Sequence, residues 1–292
     1  IIVKFIIDSG IVPISLPRNA VSLPRIASII ILINVVPAKG AFELFPSSSI
    51  NVGKGLMIMG FDLESGIAGL DSASLVLLNN PTICSAFNNR FGLSDLAMRS
   101  AMIAIPHRWA NASLLLSRFG NSVYRETTAS ISIGKLLFGR INVGTALSFY
   151  DLTIKDYGSD NTLGMTLSWH YDWNSTLVWG GSLHNINVPK ISAYNEPLPQ
   201  IITTGIIFKP LDIARAQIEW EQDTEYSGRM KFGMTYKPLT NIIVVIGRAS
   251  NPDQLTFGLQ LSLKGLAIEY AAASHPNLAL SQWFGIGFSF HY

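Results

Sequence analysis

Thr162-Leu163-Gly164-Met165-Thr166-Leu167-Ser168-Trp169-His170-Tyr171-Asp172-Trp173 divides into two faces when read at every second residue. Leu163, Met165, Leu167, Trp169, Tyr171 and Trp173 share one face; Thr162, Gly164, Thr166, Ser168, His170 and Asp172 share the other. Successive side chains of a strand point to opposite sides, so this is a strand with one greasy and one small, polar face. The division returns at 255–264, where Leu255, Phe257, Leu259, Leu261 and Leu263 alternate with Thr256, Gly258, Gln260, Ser262 and Lys264. It returns again where Met230, Phe232, Met234 and Tyr236 alternate with Arg229, Lys231, Gly233, Thr235 and Lys237. Strands of soluble sandwiches alternate too, but they average about five or six residues, whereas a tilted strand crossing a bilayer needs about 9–11. The segment lengths here favour the membrane.

Composition agrees. Of the 292 residues 48% are hydrophobic and 14% are charged, and the mean hydropathy is +0.32. A soluble domain carries about 25% charge. No stretch reaches the roughly 18 consecutive apolar residues of a spanning helix. A closed barrel is then the remaining membrane architecture, because only helices and closed barrels satisfy every backbone group in lipid. The formal charge of +2 comes from scattered basic residues, which argues against a nucleic-acid partner. Cys84 is the single cysteine and cannot form an internal disulfide.

The connections alternate in length. Short ones fall near Pro106-His107-Arg108, Phe138-Gly139, Trp173-Asn174-Ser175, Lys209-Pro210-Leu211-Asp212, Pro238-Leu239-Thr240 and Lys264-Gly265. Longer ones lie between them, near 119–124, 155–160, 188–198, 222–226, 249–253 and 274–280. Short periplasmic turns alternating with longer external loops are the asymmetry of a bacterial barrel. Thirteen strands lie between these breaks, with the carboxyl end in the periplasm. An even total requires one more strand from 41–96, with 56–61 and 73–78 as candidates, making fourteen. Trp109, Trp169, Trp173, Trp179, Trp220 and Trp283 all sit within or near strand ends, where amphipathic rings favour the membrane interface.

The amino end reads as a processed export signal. Arg25 precedes an apolar run at 26–36, too short to span, and Ala38 and Gly40 supply the small residues of a cleavage site before Ala41. A buried strand is the competing reading of that run. Residues 1–25 have no clear period and begin with Ile, and are read as an over-extended frame. The expected division is 1–40 extension and signal peptide, 41–90 hatch and first strand, and 91–292 an antiparallel all-β barrel.

The last residues, Gly285-Ile286-Gly287-Phe288-Ser289-Phe290-His291-Tyr292, resemble the insertion signal of outer-membrane barrels, with Gly287, Phe290 and Tyr292 matching and Gly285 where a polar residue is usual. Phe288 and Phe290 should face lipid and Ser289 the lumen. Residues 266–281, with Tyr270 leading to His275-Pro276 and a leucine corner, are similar to the end of PorV/PorQ-type proteins within the FadL-like fatty-acid-transporter superfamily. Ala41-Phe42-Glu43-Leu44-Phe45-Pro46 resembles the start of that group. Ala73-Ser74-Leu75 and Asn80-Pro81 match its serine-alanine-leucine and Asn-Pro-Ala, with Thr82 replacing the final alanine, and its Gly-Gly-Ala region is reduced to Gly60-Phe61-Asp62. The resemblance implies a fourteen-stranded barrel obstructed by an amino-terminal hatch at about 41–90, in which Asn80 and Pro81 are hatch positions.

Inward residues are where solute chemistry would occur. If the turn at 222–226 joins Glu221 to Ser227, Glu219 lies opposite Arg229, and Arg215, Gln217 and Lys231 share their face. This cluster is either a ligand-attracting network or cross-strand ion pairing. His170 is a further lumen candidate. Ser168 with His170, and Ser182 with His184, repeat a serine–histidine spacing, but they follow the polar face rather than the lipid surface where a lipase pair would be needed. No enzyme activity, metal or cofactor is expected: His170 and His184 are about five pairs out of register, and Gly53-Lys54-Gly55 lacks phosphate-loop spacing. Cys84 is expected in the hatch as a small hydrophobe. Three functions remain open: passive transport of a small hydrophobic solute, a docking barrel of type IX secretion, and a soluble exported all-β protein. The implied partners are outer-membrane lipid with either a hydrophobic small molecule or secretion-machinery proteins.

Overall fold

The computed structural model describes residues 41–46, 48–61, 71–191, 196–224 and 226–290. The export signal read at Arg25, 26–36, Ala38 and Gly40, and Tyr292 of the insertion signal, lie outside the described residues.

Period-two segments pair into a wall. Its first half is β1 (Thr82–Asn89), β2 (Ala97–Ile105), β3 (Asn111–Gly120), β4 (Tyr124–Leu137), β5 (Ile141–Ile154), β6 (Gly158–Asp172) and β7 (Leu177–His184). A small two-residue ladder, β8 (Lys190–Ile191) with β9 (Glu196–Pro197), follows. The second half is β10 (Ile201–Leu211), β11 (Ala214–Asp223), β12 (Arg229–Leu239), β13 (Ile242–Ala249), β14 (Gln254–Leu263), β15 (Leu266–Ala273) and β16 (Ser281–Ser289). Every wall strand pairs antiparallel with its neighbour, β7 joins β10, and β16 returns to β1, from Thr82 opposite Ser289 to Asn89 opposite Gln282. Closure leaves no edge, which is the condition for placing strands in hydrocarbon.

The wall therefore has fourteen strands, and all thirteen read beyond residue 97 are present. The first strand is neither 56–61 nor 73–78. Residues Ser72–Leu77 form a 3-10 turn capped by Asp71, whose Oδ1 accepts from the Ala73 N–H at 3.2 Å. The strand is β1, whose alternation is disguised because Ser85 faces outward with Ile83 and Phe87, while Cys84 and Ala86 face inward. Cys84 is thus a wall residue, buried against Leu75, Leu78, Met102, Ala104 and Leu115.

The greasy face points outward all round. Leu163, Phe232, Met234, Phe257 and Ile286 are among the large apolar side chains exposed there, far more than a soluble surface presents contiguously. Phe288 and Phe290 also point out, with ring centroids 5.0 Å apart, and the Ser289 hydroxyl turns in to Thr82 Oγ1 at 3.0 Å. These faces are as the sequence suggests. At the short-turn rim Trp169 packs edge-on to Trp179 and Tyr171 to Trp173, an aromatic belt. Trp283 departs from it. It is 3% exposed and sits inside with Val52 and Leu56, because its strand position has inward parity.

Connections on the carboxyl-terminal rim are 106–110, 138–140, 173–176, 212–213, 240–241 and 264–265; the opposite rim carries 90–96, 121–123, 155–157, 185–200, 224–228, 250–253 and 274–280. The asymmetry holds for the second half. In the first half 121–123 and 155–157 are tight, because β4, β5 and β6 extend beyond the others and absorb residues that the sequence reads as loop.

Candidate functional site

Inside the wall lie described residues of the segment before β1. The helix α1 (Ser49–Gly53) packs on β13 to β16, and the 3-10 turn Ser72–Leu77 packs on β3 to β6. A strand from this segment would need a free edge to pair with, and the barrel has none; its backbone groups turn instead to inward side chains of the wall.

Glu219 accepts from the Ile58 N–H at 3.0 Å and the Met59 N–H at 2.9 Å. Lys231 Nζ donates to the Leu56 carbonyl at 2.8 Å, to Glu219 Oε1 at 2.8 Å and to Glu221 Oε2 at 2.6 Å, and Gln217 Nε2 donates to the Met59 carbonyl at 3.1 Å. Arg229 Nη1 lies 3.7 Å from Glu221 Oε1, so two acids face two bases. On the opposite wall Ser168 Oγ accepts from the Ala73 N–H at 2.8 Å, and His170 Nε2 meets Asp71 Oδ2 at 2.7 Å. Asp71 Oδ2 also accepts from the Gly60 N–H at 2.8 Å, tying the two stretches of the segment together. Burial alone would raise the Asp71 carboxyl, but the facing His170 and the Gly60 and Ala73 amides outweigh it and hold the group below the usual carboxylate range.

The sequence-derived candidates therefore fall as follows. Glu219, Lys231 and His170 are inward and buried, Arg229 is partly buried beside them, and Arg215 is half-buried opposite Thr235. The expected pairing of Glu219 with Arg229 is corrected by two residues: Glu219 lies opposite Lys231, and Glu221 opposite Arg229. The last pair of this ladder, Glu221 with Arg229, encloses 222–228 rather than the supposed 222–226, with Gln222 Nε2 donating to the Tyr226 carbonyl at 3.0 Å and Asn251 Nδ2 to the Gly228 carbonyl at 2.7 Å. Asn80 and Pro81 sit half-buried at the start of β1, where the Asn80 carbonyl accepts from Thr82 Oγ1 and the Pro81 carbonyl from the Phe290 N–H. Gly287 faces inward opposite Cys84 and Ala267. His170 and His184 do not meet: His170 is opposite Gly180, and His184 bonds Thr166 Oγ1 at 2.8 Å. Among the described residues no cluster of three His, Cys, Asp or Glu is arranged to hold a metal.

Towards the long-loop rim the lumen holds a cavity of about 500 Å³. Phe42, Leu44 and Phe45 line one side, Arg90 and Leu96 come from the loop 90–96, and Met98, Leu115, Phe119, Tyr124, Glu126 and Tyr150 come from the wall. Tyr124 donates to Glu126 Oε1 at 2.6 Å, and Phe42 packs on Tyr150 with centroids 4.9 Å apart. The Arg90 guanidinium lies 3.7 Å over the Phe45 ring and 3.4 Å from Glu43 Oε2. The sequence reading missed these cavity residues, which come from five separated stretches; the aromatic run at 42–45 was the one signal available.

No protein-family model and no curated protein matches the chain. Solved structures do. The toluene transporter TbuX of Ralstonia pickettii aligns over 86% of this chain and 100% of its own, with a TM-score of 0.64 at 11% identity. The toluene transporter TodX of P. putida aligns over 86% and 100%, with 0.64 at 10%. A FadL homologue of Pseudomonas aeruginosa aligns over 88% and 99%, with 0.62 at 8%. At such identities the likeness is one of fold: the chain folds as a FadL-like barrel.

Proposed function

We propose that the chain is an outer-membrane channel through which a small hydrophobic solute passes passively, and that residues 41–81 act as its hatch. The observation that carries this reading is the cavity at the long-loop rim, walled by aromatic and aliphatic side chains, in a lumen whose further course meets the segment fastened to Glu219, Lys231 and His170. Pockets of this size and lining suit small apolar ligands. The toluene transporters among its structural neighbours support the same class of solute. A soluble exported protein is set aside by the outward apolar face.

The test is uptake into proteoliposomes. Toluene should equilibrate across vesicles containing the barrel faster than across protein-free vesicles, while sucrose should not. Equal toluene rates in both would sink the reading. A docking barrel of type IX secretion, the PorV/PorQ-like alternative, draws on the resemblance at 266–281 and on Leu278 and Leu280, which are exposed on the loop 274–280. A stable complex with secretion components would favour it; a barrel recovered alone with bound hydrophobic solute would count against it.

A further inference from the structure

We propose that the cavity selects an uncharged aromatic solute bearing a hydrogen-bond donor, such as a phenol or an aniline, and turns carboxylates away. The inference rests on the channel reading above and adds the chemistry of its solute. Among the described residues, three acids, Glu43, Asp95 and Glu126, and one guanidinium, Arg90, line the cavity. Arg90 is already engaged, with Glu43 at 3.4 Å and with the face of Phe45. A carboxylate entering here meets two further acids and, among the described lining residues, no lysine or arginine other than Arg90, between apolar walls where like charges repel more strongly than in water.

The phenol and imidazole donors are engaged as well. Tyr124 donates to Glu126. Tyr150 donates to Asn185 Oδ1 at 3.1 Å, which leaves its oxygen to accept from His184 Nε2 at 3.2 Å. His184 Nδ1 then accepts from Thr166 Oγ1. The Ser117 and Thr128 hydroxyls line the same wall, and Glu126 keeps acceptor capacity, because a carboxylate offers about four lone-pair sites and this one receives the Tyr124 hydroxyl and the Phe42 N–H. An O–H or N–H on a flat ring satisfies that acceptor while the ring lies among Phe42, Phe45 and Phe119.

Toluene, p-cresol and p-toluate share a ring and a methyl and differ in one substituent. Each is titrated calorimetrically into the purified barrel in detergent. p-Cresol should bind about tenfold tighter than toluene, the scale of one hydrogen bond to a charged acceptor, and p-toluate should bind more weakly than toluene. Glu126→Gln should shrink the ratio of p-cresol to toluene affinity and raise the affinity for p-toluate. p-Cresol binding no tighter than toluene, or p-toluate as tightly as p-cresol, overturns the selectivity. Binding of none of the three overturns the channel reading itself, so the two failures are distinguishable without any variant.

Discussion

Lys231 joins two carboxylates and a carbonyl of the luminal segment through one buried ammonium. Removing it leaves Glu219 and Glu221 facing each other without their shared counter-ion, and breaking such a buried pair costs about 3–5 kcal/mol. Lys231→Met should therefore lower the unfolding free energy by that order in denaturant titrations of vesicle-embedded protein. Lys231→Met with Glu219→Gln should recover part of it, the pairwise coupling that a double-mutant cycle measures. Asp71 makes a prediction with a sign. Its folded value is depressed below 3.8, so its contribution is present above that value and is lost as pH falls through the folded one. The stability difference between wild type and Asp71→Asn should shrink as pH falls below about 4 and vanish in strong acid; a difference that grows over that acid range would refute the assigned role. The charged positions were legible in the sequence because their strand parity was. Their partners were not, since the width of a loop sets register and a slip of two residues preserves the face while changing every neighbour.

Glycines on the inward faces record where the luminal segment approaches the wall. Gly134 and Gly144 are cross-strand partners, and a Cβ on either would strike the backbone of Ser72. Gly233 and Gly247 are partners as well, and a Cβ there would strike the backbone of Lys54. Two paired glycines thus make a flat place on each side of the barrel against which main chain can lie. Gly144→Val and Gly247→Val should leave the strands in place, since a β-branched residue suits a strand. They should displace the segment locally and raise ion conductance in planar bilayers. Unchanged conductance with intact heat-modifiable migration would show that these contacts do not seat it. In the sequence these glycines were visible only as small residues on a polar face. What they make room for lies more than fifty residues away along the chain, and no local pattern reports it.

For the barrel taken entire, β1 against β16 completes a wall that needs nothing from residues before Thr82 to satisfy its backbone. Deletion of 41–80 should give a barrel that still migrates heat-modifiably in detergent gels and conducts ions through a lumen open to water. Failure of the deleted protein to form a barrel would mean that the segment nucleates the wall. The buried contacts of Leu75 and Leu78 with Cys84, Met102 and Leu115, and of Val52 and Leu56 with Ala271 and Trp283, should be lost together in that variant.

Strand parity, strand length and the rhythm of turns are local properties of the chain, and they were enough to determine an all-β barrel of fourteen strands with its greasy face outward. Each follows from the two-residue period of a strand and from the need to close a sheet in lipid. The tertiary structure alone decided which strand comes first, which inward charges meet, and that Phe42, Arg90, Glu126 and Tyr150 enclose one cavity. Those outcomes depend on side chains brought together across closure of the wall, and closure joins residues whose separation in sequence carries no periodic trace.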